Sequence, residues 1–232
     1  MTRIAILIPA RNEGASLPRV VAELRRACPD ADVLVVDDCS NDETPAILPG
    51  LGVRWLRLPL HLGIGGALRA GLRFAAMSGY DIVVRVDGDG QHDPSEVAPL
   101  IAPIRGGEAD VVQGTRLGRS ASWAKHVSRR LLASLLTVLT GRAVTDPTSG
   151  FWAFGPRAVR LLADHHPSGY PEPELLLLLH RNRVRVVERP VTMRPRLAGR
   201  TSLTACRLGP AIARLCVVAL VTPLRPIIKS AV

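Results

Sequence analysis

A chain of 232 residues with 47% hydrophobic content can bury one large core or two small ones, and 3% aromatics argues against a nucleic-acid binder built on stacking platforms. Its net charge of +10 is unevenly placed: residues 1–100 carry 10 Lys/Arg and 13 Asp/Glu, a net of −3, and residues 101–232 carry 20 and 7, a net of +13. The first part suits a cation-assisted nucleotide site, and the Arg-rich second part suits phosphates, lipid head groups or nucleic acid.

Arg3 to Ile8 reads as a buried strand ending at Pro9-Ala10-Arg11-Asn12-Glu13-Gly14. Ser16 is placed to cap a helix carrying Leu17, Val20, Val21, Leu24 and Ala27 at helical spacing. Asp32 to Val36 is a second strand, ending in Asp37-Asp38-Cys39-Ser40, and Thr44-Pro45 starts a short helix. Val53 to Leu58 is a third strand, and Gly63-Ile64-Gly65-Gly66 opens a helix to Ala76. The β-branched run Ile82 to Val86 then stops at Asp87-Gly88-Asp89-Gly90. Pro94 to Ile104 reads as a helix, Ala109 to Gln113 as a strand followed by Gly114-Thr115-Arg116, and Ser122 to Thr140 as a long helix containing Arg129-Arg130. Asp146-Pro147-Thr148-Ser149-Gly150-Phe151 is a turn, Pro156 to Ala163 and Leu175 to Leu179 are helical, and Val184 to Val187 is a strand. Pro190 to Arg194 is extended, Pro195 to Ser202 is a Gly/Arg loop, and Leu203 to Thr222 is helix-like.

Strands alternating with helices predict an α/β fold with a largely parallel sheet and helices on both faces. Parallel strands place their carboxyl ends on one edge, so Asn12-Glu13, Asp37-Asp38 and Asp87/Asp89 would meet in one crevice. Acidic side chains gathered there are costly without a cation or donors. Two carboxylates one residue apart can converge on a hard cation such as Mg²⁺ or Mn²⁺. A nucleic-acid binder would explain the basic half but not three acidic strand ends.

The chain resembles the family 2 glycosyltransferases of GT-A fold, and within them the polyprenyl-phosphate sugar transferases such as dolichol-phosphate mannose synthase. The resemblance spans roughly residues 3 to 204. It rests on Ile8-Pro9-Ala10-Arg11-Asn12-Glu13, Val36-Asp37-Asp38-Cys39-Ser40, Gly63-Ile64-Gly65-Gly66, Asp87-Gly88-Asp89-Gly90-Gln91-His92, Gly114-Thr115-Arg116, Asp146-Pro147-Thr148-Ser149-Gly150-Phe151 and Arg196-Leu197-Ala198-Gly199-Arg200-Thr201-Ser202, in that order. It implies an inverting transfer of a sugar from a GDP- or UDP-linked donor to a polyprenyl phosphate. A growing polysaccharide or a small metabolite is the alternative acceptor.

The resemblance also implies roles. Pro9, Arg11, Glu13, Val36 and Asp38 would line the donor nucleobase and ribose, Ala10, Asp87, Gly88 and Arg196 would also contact the nucleotide-sugar, and Asp89, Arg116, Arg129 and Asp146 would be the catalytic set. Asp87, Asp89 and Gln91 would hold the metal on the donor diphosphate. Arg116 and Arg129 would face phosphates, Asp146 would orient the acceptor or act as base, and Arg196 would close over the donor.

Plainer readings stand beside these. Glu13 could be a first-turn helix acid, and Asp37 is expected to be structural. Gly63 to Gly66 could serve close packing rather than phosphate. Arg129 and Arg130 could be a solvated face, Asp146 a turn cap, and Glu172 and Glu174 helix caps. His92 is expected to support the metal turn by hydrogen bonding, and His165-His166 to lie on the surface. Trp152 stands where relatives often carry a basic residue.

Two units are expected: a catalytic domain over residues 1–204 and a helical tail over 205–232. The apolar stretch Leu215 to Val221, with Arg214, Arg225 and Lys229 near it, is too short to span a bilayer and could lie in the interface or pack as a core or dimer helix. The four cysteines have no Cys-x-x-Cys spacing, and no signal-peptide layout follows Met1. The expected location is therefore cytoplasmic and peripheral at the inner membrane face, with a small integral membrane protein as a possible partner and no nucleic acid.

Overall fold

The computed structural model describes residues 2–116, 123–167 and 171–195. Its elements run β1 (Ile4–Ala10), α1 (Leu17–Ala27), β2 (Ala31–Asp37), α2 (Thr44–Ile47), β3 (Arg54–Arg57), α3 (Gly63–Met77), β4 (Ile82–Arg85), α4 (Val97–Arg105), β5 (Val111–Arg116), α5 (Trp123–Thr140), β6 (Trp152–Phe154), α6 (Pro156–His165), α7 (Pro171–Arg181) and β7 (Val186–Val191). One sheet carries the strands in the order β3-β2-β1-β4-β6-β5-β7. Every pairing is parallel except those of β6, which runs antiparallel to both β4 and β5.

Strand alternation sends side chains to two cores. Leu7, Leu34, Val36 and Val83 pack under α3, α6 and α7. Ile6, Ile8, Val35, Ile82 and Val84 pack against α1 and α4. Helices on both faces explain why the inner strands read as unbroken apolar runs rather than alternating ones. This is the three-layer α/β arrangement of a GT-A fold.

Several boundaries differ from the sequence expectation for physical reasons. β1 continues through Pro9 and Ala10, because pairing with β4 ends at Leu7↔Arg85 and the missing Pro9 N–H costs no ladder bond there. β5 takes in Gly114, Thr115 and Arg116, since β7 pairs along it up to Arg116↔Val191. β7 itself covers Val186–Val191, later than the run expected at Val184. The sequence reading missed β6, whose three residues are too few to show a period. Ser16 makes no side-chain cap of α1; its hydroxyl instead donates to Glu13 Oε2 at 2.8 Å. His166, expected on the surface, is buried at the carboxyl end of α6. The tail over 205–232 and the helix expected from Leu203 lie outside the described residues.

Candidate active site at the carboxyl edge of the sheet

β4 delivers the acidic turn. Asp87 N–H donates to His92 Nδ1 at 3.0 Å, and Gln91 N–H donates to Asp89 Oδ1 at 3.0 Å. Gly90, at φ +77, supplies the left-handed step that closes the turn. Because His92 Nδ1 accepts, the neutral ring carries its proton on Nε2, 3.8 Å from Asp87 Oδ2. The imidazole stacks on Phe151 with ring centres 4.5 Å apart. Burial pushes the His92 pKa down, against the pull of Asp87 and Asp89, so the ring works as a hydrogen-bonding prop.

The ends of β1 and β2 lock together beside this turn. Asn12 takes a positive φ of 56; its N–H donates to Ser40 Oγ, and its Oδ1 accepts from Asn41 N–H at 3.0 Å. Glu13 N–H donates to Thr44 Oγ1 at 2.9 Å, and a methyl at Gly88 would come within 3.4 Å of Glu13 Cγ. Glu13 therefore packs against the acidic turn, four residues ahead of α1 rather than within its first turn. Asp37 is fully buried, accepts Ser40 N–H at 2.9 Å and faces Arg57 at 3.4 Å. Asp38, also buried, accepts Leu62 N–H and meets His61 Nδ1, both at 2.7 Å. Arg11 donates to His61 Nε2 at 2.6 Å, which fixes the imidazole as the Nδ1–H tautomer between Arg11 and Asp38. Pro9 and Ala10 at the end of β1 stand in register with Val36 and Asp37 at the end of β2.

β5 and the 146–150 turn build the other wall. Arg116 grips Asp146 with both arms, Nε to Oδ2 at 2.7 Å and Nη2 to Oδ1 at 2.8 Å, and its backbone N–H also reaches Oδ2. Burial alone would raise the Asp146 pKa. The hydrogen bonds and charge of Arg116, with the charge of Arg129 on α5, outweigh it and hold the carboxyl below its usual range. Gln113 Nε2 holds the Asp146 carbonyl at 2.8 Å. Trp152 is fully buried in β6 with its Nε1 on the Ser149 carbonyl at 2.7 Å, so it faces the core and not an acceptor. Behind Asp87 lies Arg85, a buried guanidinium donating from Nε to Asp87 Oδ1 at 3.3 Å and from Nη1 to Glu172 Oε1 at 2.9 Å. Glu172, expected to cap α7, is a side-chain partner of this site instead.

The chain leaving β7 returns to the acidic turn. Met193 bridges His92, and Arg194 N–H donates to the Gln91 carbonyl at 2.8 Å. The Arg194 guanidinium holds Asp93 with two bonds and Glu23 with a third. Arg196 lies beyond, outside the described residues.

The profile of Glycosyl transferase family 2 matches residues 5–160. The chain belongs to this family. Among its relatives is the undecaprenyl-phosphate mannosyltransferase of Micrococcus luteus, 32% identical over 225 residues that cover 90% of this chain and 91% of that protein. The polyprenol monophosphomannose synthase of Mycolicibacterium smegmatis is 29% identical, covering 90% and 84%. Glucosyl-3-phosphoglycerate synthase of Mycobacterium tuberculosis in complex with phosphoglyceric acid shares the fold at a TM-score of 0.73 and 25% identity, over 95% of this chain and 79% of that one. The same enzyme has been crystallised with Mn²⁺, uridine diphosphate and glucosyl-3-phosphoglycerate, and that structure also matches at a TM-score of 0.73. The chain is a glycosyltransferase whose relatives include polyprenyl-phosphate sugar transferases.

The glycosyltransferase's donor set fits an open site for a hard divalent cation. Among the described residues, no three His, Cys, Asp or Glu side chains converge into a closed metal cage. Asp87, partly exposed, and the buried Asp89 offer two carboxylates on one turn, the number Mg²⁺ typically takes beside substrate phosphates and water. Two contributors escaped the sequence reading: Arg85 reads as part of an apolar strand, and no local pattern singles out His61. Glu172 reads as a cap or, for a hydroxyl acceptor, as a base, and only the fold brings each of the three to its partner.

Proposed function

We propose that this glycosyltransferase moves a sugar, with inversion, from a nucleotide-linked donor to a polyprenyl phosphate at the cytosolic membrane face, assisted by Mg²⁺ or Mn²⁺. The observation that carries the reading is the 32% identity to an undecaprenyl-phosphate mannosyltransferase over nine-tenths of both chains. On this reading Pro9, Ala10, Arg11, Glu13, Val36, Asp38 and Gly88 hold the nucleoside, and His61 fixes the Asp38 carboxylate. Asp87, Asp89 and Gln91 hold the cation, which would neutralise charge growing on the departing diphosphate.

Arg116 faces a phosphate oxygen of the substrates, held in place by Asp146, and Arg129 adds positive charge beside it. Asp146 has both oxygens committed to Arg116 and a depressed pKa, so it orients that guanidinium rather than taking a proton. An acceptor phosphate is already anionic near neutral pH. It attacks the anomeric carbon once aligned and needs no base. Arg196 closes over the donor, and the catalytic unit spans residues 1–204.

Membrane proximity is supported by α5, which exposes Leu131, Val138 and Leu139 next to the exposed Arg130 and Arg142. Among the described residues no helix is long and apolar enough to cross a membrane. On this reading interfacial contact by α5 and by the 205–232 tail, or a small integral membrane partner, holds the enzyme at the membrane. A small phosphorylated acceptor is the second reading, favoured by the likeness to the phosphoglyceric acid complex.

The test is a matrix of GDP- and UDP-linked sugars against undecaprenyl phosphate in detergent and against 3-phosphoglycerate, with Mg²⁺, Mn²⁺ or chelator. Glycolipid formed only with metal is the expected result. Product on 3-phosphoglycerate alone would establish the second reading.

A further inference from the structure

Arg85 is an unusual residue for its place. It sits in β4 between Val84 and Val86, 2% exposed, in register with Leu7 on one side and Trp152 on the other. A buried guanidinium is costly unless its charge and donors are satisfied. Here two carboxylates from distant parts of the chain do so: Asp87 on the acidic turn and Glu172 on the first turn of α7. Asp87 is the more open of the two, its side chain 30% exposed against 14% for Glu172. The guanidinium therefore stands behind a carboxylate whose other side reaches the crevice. Gly150 closes the cluster. A methyl there would come within 2.8 Å of Asp87 Oδ2 and 2.9 Å of Arg85 Nη2.

Arg85 divides its charge between two carboxylates, which also feel the charge of Arg116 from β5. What Glu172 neutralises of the Arg85 charge no longer opposes a divalent ion approaching Asp87. We infer that Arg85 and Glu172 are positioning residues that set the cation affinity of Asp87, Arg85 weakening it and Glu172 restoring it. The inference rests on the proposed role of Asp87 as a cation ligand. The two residues then act with opposite signs, although they form one ion pair.

Opposite signs make the test decisive. Mn²⁺ binding is measured by titration calorimetry and by the electron-spin signal of free Mn²⁺, alone and with saturating UDP or GDP. Glu172→Gln keeps the volume and an oxygen acceptor for Arg85 Nη1 but removes the negative charge. It should weaken Mn²⁺ binding, on the order of tenfold for a buried charge at this range. Arg85→Met should tighten Mn²⁺ binding while lowering the melting temperature, because two carboxylates lose their counter-charge. The double variant Arg85→Met/Glu172→Gln should return toward wild-type affinity.

A purely structural pair would lower affinity in both single variants, and that result overturns the inference. Should Arg85→Met fail to fold, an unchanged Mn²⁺ affinity in Glu172→Gln overturns it alone. Asp87→Ala separates the two levels: if it leaves Mn²⁺ binding intact, the metal reading of the acidic turn fails and the inference falls with it. If Asp87→Ala abolishes binding while both single variants weaken it, only the inference fails.

Discussion

Asp146 shows how a residue's environment decides its chemistry. In the sequence it heads a turn, and its type allows a base, a cap or an orienting group. Its partner Arg116 stands 30 residues away, and no local pattern joins them. The fold pairs them through two bonds of 2.7 and 2.8 Å. A lysine cannot reproduce that fork. Arg116→Lys is therefore expected to lower kcat roughly a hundredfold, as for loss of one transition-state donor, with donor binding little changed. Steady-state kinetics beside calorimetric donor affinity check this; an equal loss of donor binding would move Arg116 to the donor phosphates.

His166 makes a second prediction at this scale. Burial, with the nearby charge of Arg85, pushes its pKa down to about 4 from an ordinary 6.5. The folded state thus holds it neutral, while the unfolded chain protonates it below 6.5. Its contribution to stability is present above pH 6.5 and is lost as pH falls toward 4, by up to about 3 kcal/mol. Melting temperatures of wild type and His166→Gln should converge across that window, and parallel curves would show that His166 does not titrate there.

Among the elements, legibility followed length and burial. β1, β2 and β4 announce themselves as apolar runs ending in acidic or amide residues, and those endings correctly located one edge of the sheet. β6 could not be read, since Trp152-Ala153-Phe154 makes sense only between two strands that already exist. The same element gives Trp152 its place, with the indole in the core. On α5 the sequence showed an apolar second half without saying which side is covered. Leu132 and Leu136 face the core, while Leu131 and Val138 are 62% and 81% exposed. If this stripe meets a bilayer, Leu131→Glu/Val138→Glu should reduce sedimentation with anionic liposomes several-fold. Its melting temperature should stay within a few degrees of wild type, because neither side chain is in the core. Retained sedimentation would place membrane contact elsewhere.

Across the whole molecule, the basic excess of the second part is partly internal. Arg116 is bound by Asp146, Arg157 and Arg185 share Asp110, and Arg194 is held by Asp93 and Glu23. Asp110 and Asp146 are already subtracted in the net of +13, so of these pairs it is Arg194, held by two carboxylates of the first part, that draws on the excess itself.

The antiparallel strand has a consequence for how the chain is made. β5 lies between β6 and β7 in the sheet, yet both partners come later in the sequence. During synthesis Val111–Arg116 emerges with neither edge paired, and its first partner follows about 40 residues later, at Trp152. The left side of the sheet, from β3 to β4, can close in the meantime, because its strands follow one another closely. The half-made enzyme thus passes through a stage in which a finished β3-to-β4 side waits beside an open, apolar strand, the exposure that invites aggregation or a chaperone. Three residues of β6 end that interval.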